Sequence, residues 1–198
     1  MRHGCVHRCI GDRIAAATYL CAAAAAGGQV TLQGVDYRHL ATVTTALGQA
    51  GCHLQCTEDS ITLESDGHLR AIPPVRTSPY PGFPTDAQAP LMAALLRSEG
   101  AVMFVENMFD SRYRHVPELV RMGADIRLEG RVAVVYGTRE LHGAAVRCTD
   151  LRGGAALAIA ALQTPDATLI HDIYHIQRGY QDMAGDLRAL GADAAVEV

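Results

Sequence analysis

Apolar positions along the chain form two kinds of run, and the two kinds alternate. In the first kind, residues 14–26, 87–96 and 155–162, apolar side chains are nearly unbroken, with Thr18 and Gln88 the polar interruptions. A helix that is apolar all round is buried on every side. In the second kind the apolar residues keep helical spacing. Leu40, Val43 and Leu47 share one face, as do Val116, Leu119 and Val120, while Arg121, Asp182 and Arg188 suit water. The pattern predicts three central helices and three amphipathic ones.

Each central run opens on an Asp: "GDRIAAATYLCAAAAAGG", "PTDAQAPLMAALLRSEG" and "CTDLRGGAALAIAALQTPD". Each is followed by a short β-type run, "QVTLQ", "AVMFVE" or "ATLIHD". An amphipathic helix then closes on "LGQAGCHLQ", "LVRMGADIRLE" or "LRALGADAAVE". Gly51, Gly123 and Gly191 fit the left-handed position that ends a helix and releases the chain into a strand. A strand also precedes each central helix, best seen in "LHGAAVRC", and the first two copies continue into "SITLES" and "RVAVVYG".

The predicted unit is β-α-β-α-β-β, repeated at about 12–68, 69–138 and 139–198 behind a leader of residues 1–11. This gives an α/β domain over 12–198, with helices inside and sheets outside. The third copy reaches Val198 without its last strand. An unpaired edge there predicts self-association through the open edge or marginal stability.

Composition narrows the function classes. A net charge of −4 over 198 residues leaves no basic footprint for nucleic acid. The longest apolar run is shorter than the roughly 20 residues a membrane span needs. No signal peptide is legible, so a cytoplasmic setting and six reduced Cys are expected. Cys5 and Cys9, with His3 and His7 between and beside them, miss the usual zinc spacings, so no metal is expected. Cys52 and Cys56 read as buried thiols at a strand end.

The stretch "TSPYPGFPTDAQAP" carries the chemistry. Pro79, Pro81, Gly82 and Pro84 stiffen a loop that delivers Thr85 and Asp86 to a central helix. As an N-cap, Asp86 would contribute about 1 kcal/mol to that helix, and Asp12 and Asp150 stand at equivalent places. A cap does not require so rigid a loop, whereas an acid/base carboxylate does.

Together "PYPGFPTDAQAP", "RYRHVPELVRMGADI", "TDLRGGAAL" and "YHIQRGY" resemble the UDP-N-acetylglucosamine 1-carboxyvinyltransferases, the enolpyruvyl transferases of peptidoglycan synthesis. The likeness runs from Asp12 to Val198. It implies an inside-out α/β barrel domain of three β-α-β-α-β-β repeats, one of the two domains between which the family's active site lies. The related 5-enolpyruvylshikimate-3-phosphate synthases share the repeat architecture. The family's Lys-Asn pair and its Cys-bearing loop have no counterpart here, so none of the six Cys is expected to be catalytic. The strand that completes the third repeat comes, in the family, from an N-terminal segment without a match in this sequence. The resemblance therefore implies either a gene fragment whose partner is the missing second domain, inactive in isolation, or a genuine half-size protein.

By resemblance, Asp86 takes the proton of the sugar 3′-hydroxyl and contacts the sugar nucleotide. Met108 meets the same substrate through its backbone. Arg112 and Arg152 line the cleft, and Arg178 binds phosphoenolpyruvate with the paired hydrogen bonds a guanidinium offers. A salt bridge to Asp150 is the structural alternative for Arg152. For Arg178 the alternative is a solvated Arg near a helix start, opposing the helix dipole. Gln177 and Asp110 depart from the residues the family often has, and Arg13 is a weaker cleft candidate. The implied partners are UDP-N-acetylglucosamine and phosphoenolpyruvate, with no cofactor. The competing reading is a non-catalytic half-size module that binds a nucleotide sugar or a protein.

Overall fold

The computed structural model describes residues 3–7 and 9–196. Asp12 caps the first helix, α1 (Arg13–Ala26), by accepting from the amides of Ile14 and Ala15 at 2.8 and 3.1 Å. The first repeat continues with β1 (Gly28–Gln33), a short 3-10 turn, α2 (Ala41–Ala50), β2 (His53–Cys56) and β3 (Ser60–Ser65). The second holds β4 (Val75–Arg76), α3 (Thr85–Ala94), β5 (Ala101–Val105), α4 (Val116–Arg121), β6 (Asp125–Glu129) and β7 (Val132–Tyr136). The third holds β8 (Ala145–Arg147), α5 (Leu151–Ala161), β9 (Leu169–His171), α6 (Tyr174–Gln177) and α7 (Met183–Ala189).

Helices α1, α3 and α5 pack on one another at the centre. Their Ala residues allow the close approach, and Ala17, Leu20, Leu91, Met92, Ala155 and Leu157 are fully buried there. The sheets lie outside this trio, each with one face inward. The first is antiparallel, ordered β1-β3-β2, and the second runs β4-β5-β7-β6. Alternation places Ile61 and Leu63, then Phe104, Ala133 and Val135, on the buried faces. The third sheet, among the described residues, is the parallel pair β8-β9.

Gly51, Gly123 and Gly191 take φ of 115°, 90° and 99°, as their position at helix ends requires. Four local expectations are corrected. Val120 is exposed, because α4 is a short helix with Val116 and Leu119 alone turned inward. Residues 192–196 form no strand and join no ladder among the described residues. No strand precedes α1 among the described residues. Cys56 is exposed because it ends an edge strand, although it pairs with the buried Ile61, whereas Cys52 is buried.

Candidate active site

The site is built where α3, the end of β5 and the first turn of α5 meet. The loop before α3 closes on itself: the Ser78 amide donates to the Phe83 carbonyl at 3.0 Å, and the Gly82 amide to that of Pro79 at 2.8 Å. Ser78 Oγ fills the space a Cβ at residue 82 would need, so a larger residue there would have to turn that side chain away.

Glu106, just beyond β5 and 1% exposed, fastens this loop to the chain that follows. Its Oε1 accepts from the Thr77 hydroxyl at 2.9 Å and from the amides of Met108 and Phe109 at 2.7 and 3.1 Å. Its Oε2 accepts from the Thr85 hydroxyl at 2.9 Å. One buried carboxylate thus sets the positions of Asp86's neighbour and of the turn that leads to Arg112.

Asp86 is not a cap. Pro84 occupies the N-cap position of α3, and the Asp86 carboxylate bonds no helix amide. This corrects the equivalence with Asp12 and Asp150, which do cap, the latter through the amides of Arg152 and Gly153. Asp86 instead turns to two cations. Arg112 Nη2 donates to Oδ1, and Arg152 Nη2 lies 3.6 Å from Oδ2. The carboxylate is 42% exposed, the two guanidinium side chains 20% and 13%. Arg112 also lies over the Phe109 ring, 5.6 Å from its centroid. Two guanidinium groups thus converge on one carboxylate that stays open to solvent. A guanidinium offers paired hydrogen bonds to an anionic ligand.

A concavity of about 320 Å³ adjoins the pair, lined by Phe109, Asp110, Ser111, Arg112, Arg114 and Asp150. Burial acts to raise the Asp150 pKa. The Gly153 amide, His115, Arg112 and the Thr149 hydroxyl together outweigh it and hold Asp150 below the usual carboxylate value. His115 lies beneath, 1% exposed, with neither ring nitrogen hydrogen-bonded among the described residues. Burial depresses its pKa to about 4, with Asp150 opposing the shift.

The remaining expectations divide. Arg152 pairs with Asp86 and not with Asp150, whose side chain is taken by the helix amides. The Met108 amide is already committed to Glu106, which leaves its carbonyl as the backbone group open to a ligand. Arg178 is exposed and stands at the C-terminal end of α6, so the dipole there favours its charge; the expected helix start lies elsewhere. No hydrogen bond or ion pair among the described residues joins it to the Asp86 cluster. Asp110 pairs with Arg131 on the surface, and Arg13 lies over the Tyr80 ring at 5.3 Å. Glu106, His115, Thr18 and Tyr180 were not legible as site residues. Glu106 is the first polar residue after an apolar strand, and that is the only signal it gives.

This fold and cluster define an enolpyruvyl transferase domain. Residues 1–187 match the family model of EPSP synthase (3-phosphoshikimate 1-carboxyvinyltransferase), and the chain belongs to that family. It is 47% identical over 191 residues to a UDP-N-acetylglucosamine 1-carboxyvinyltransferase of Zymomonas mobilis, covering 96% of this chain and 45% of that protein. A protein of the same name from Campylobacter lari is 46% identical over 183 residues, covering 92% of this chain and 44% of the other. The chain therefore spans about half the length of the curated relatives it matches.

Among solved structures, the enolpyruvyl transferase NikO from Streptomyces tendae superposes with a TM-score of 0.85 at 29% identity, over 94% of this chain and 44% of NikO. An EPSP synthase from Acinetobacter baumannii superposes with a TM-score of 0.72 at 19% identity, over 93% of this chain and 46% of the other, a likeness of fold.

Proposed function

We propose that this chain forms one face of the active site of a UDP-N-acetylglucosamine 1-carboxyvinyltransferase. The reaction joins the enolpyruvyl group of phosphoenolpyruvate to the 3′-hydroxyl of UDP-N-acetylglucosamine. The observation that carries the reading is Asp86, a solvent-reachable carboxylate that leaves its helix amides unbound and is aimed by Arg112 and Arg152.

The chemistry divides into two steps. The sugar oxygen attacks C2 of phosphoenolpyruvate as its proton passes to a base, and an acid protonates C3. A proton then leaves C3 and the bond from C2 to the phosphate oxygen breaks, releasing inorganic phosphate. Asp86 is the base in this scheme, held within hydrogen-bond reach of a hydroxyl by its rigid loop. Arg112 and Arg152 supply positive charge beside substrates that carry phosphates, and Arg178 supplies a further cation at the domain's surface, without an ion pair among the described residues. The acid lies outside these residues. The Met108 carbonyl accepts from the sugar nucleotide.

Titration of UDP-N-acetylglucosamine into the protein tests the substrate. A saturable signal that Arg112→Ala abolishes is the expected result, and no saturation at millimolar ligand would overturn it. Phosphate release from phosphoenolpyruvate, measured on the protein purified from its native cells, tests the reaction. Binding without any release would assign a non-catalytic nucleotide-sugar module instead.

A further inference from the structure

Behind Arg152 runs a buried chain of hydrogen bonds whose direction the chemistry of its members dictates. Thr18 Oγ1 lies 3.0 Å from the Ile14 carbonyl oxygen, which can only accept, so the single hydroxyl proton of Thr18 is spent there. The Tyr180 hydroxyl lies 2.7 Å from the same Thr18 oxygen and must therefore donate to it. With its own proton used, Tyr180 Oη accepts from Arg152 Nη1 at 3.2 Å. The order runs from Arg152 to Tyr180, then to Thr18, then to the backbone of α1.

The packing leaves little freedom for another arrangement. Thr18 is fully buried and Tyr180 is 3% exposed. A Cβ at Gly179 would come within 2.7 Å of Leu151 Cδ2, so the backbone before Tyr180 lies directly on the start of α5. The Tyr180 ring meets Tyr19 edge-on at 6.4 Å, and the Tyr19 hydroxyl donates to Asp186 of α7. The Arg152 guanidinium lies 5.8 Å from the centroid of the Tyr180 ring. One aromatic side chain therefore receives a hydrogen bond from the guanidinium and also packs against it.

With the Arg152–Asp86 ion pair added, the chain joins all three repeats. Thr18 belongs to the first, Asp86 to the second, and Arg152 with Tyr180 to the third. A long, flexible Arg loses rotamer freedom when held in one orientation, and a fixed acceptor behind it lowers the cost of aiming it forward.

We propose that Tyr180 and Thr18 are positioning residues that aim Arg152 at Asp86. Their hydroxyls touch no substrate and act through Arg152, so the proposal rests on Asp86, Arg112 and Arg152 forming the site of the proposed function.

The test uses Tyr180→Phe, which keeps the ring and deletes the acceptor, together with Thr18→Val and Thr18→Ser. UDP-N-acetylglucosamine affinity should fall about tenfold in Tyr180→Phe, the effect of one hydrogen bond to a charged group, and less in Thr18→Val. Thr18→Ser should retain the wild-type affinity because it retains the hydroxyl. In an Arg152→Ala background, Tyr180→Phe should cause no further loss, since its effect passes through Arg152. Additive loss in that background, or equal weakness of Thr18→Ser and Thr18→Val, would assign a merely structural role and overturn the proposal. The Nε–Hε NMR signal of Arg152 in the unliganded protein gives a readout free of substrate. It should shift and broaden in Tyr180→Phe. A wild type that does not bind the nucleotide sugar but shows this change defeats the functional reading and leaves the relay standing. An unchanged signal defeats the relay itself.

Discussion

The buried Glu106 carboxylate accepts the hydroxyl of Thr85, the residue next to Asp86, at 2.9 Å. That contact ties the end of β5 to the start of α3, so the site's geometry depends on a group that does not face the cleft. In Glu106→Ala, two hydroxyls and two amides lose their acceptor. The expected cost is about 3 kcal/mol or more, because buried donors left unpaired each cost about 1–3 kcal/mol. Glu106→Gln should be milder, since its amide nitrogen can take the Oε2 place while the Thr85 hydroxyl turns to accept. Urea denaturation of the two variants should rank them in that order.

Asp86→Asn removes the charge on which Arg112 and Arg152 converge and the base of the proposed reaction. Transfer measured by phosphate release should fall at least about 100-fold, the lower end of what a positioned base contributes. Thermal stability should change little, because Asp86 caps no helix and is well exposed. A variant with near-normal turnover would remove Asp86 from the mechanism.

His115 predicts an acid sensitivity. Its folded pKa, near 4, lies below the ordinary value of 6.5, so the fold holds it neutral. As pH falls through 6.5 the unfolded chain takes up a proton that the folded chain refuses, and stability is lost until the folded form also titrates near 4. The loss is on the order of 3 kcal/mol, from the free energy of one pKa unit. Above 6.5 both states are neutral and the group contributes no pH dependence. Melting curves at pH 7 and pH 4.5 should differ less in His115→Gln than in the wild type.

Gly154 lies where α5 meets α6, and an added Cβ would come within 2.7 Å of Ile176 Cγ1 and 2.8 Å of Cys148 Sγ. Gly154→Ala gains up to about 1 kcal/mol in helix propensity. Overpacking of a tight site costs about 1–3 kcal/mol, so the net effect should be a loss. The melting temperature should fall by a few degrees. A rise would mean that α6 moves aside without cost.

Sequence by itself determined the threefold unit, because burial on all sides and burial on one side leave different marks on a chain. Runs such as 155–162 have nowhere to go but the middle, and the glycines at 51, 123 and 191 mark helix ends through a backbone angle few other residues accept. The motifs also pointed to Asp86, Arg112 and Arg152, which the fold brings together. Tertiary structure decided what these residues do to one another. The sequence gives Asp12, Asp86 and Asp150 the same local setting, yet Pro84 takes the cap at the second helix and frees Asp86 for cations that arrive from 26 and 66 positions further along. Glu106 binds within its own repeat and left only a lone polar position after a strand, whereas Thr18 and Tyr180 were silent because they pair across repeats. A hydrogen bond between repeats leaves no periodicity to read, because its partners are chosen by how three helices meet at the centre.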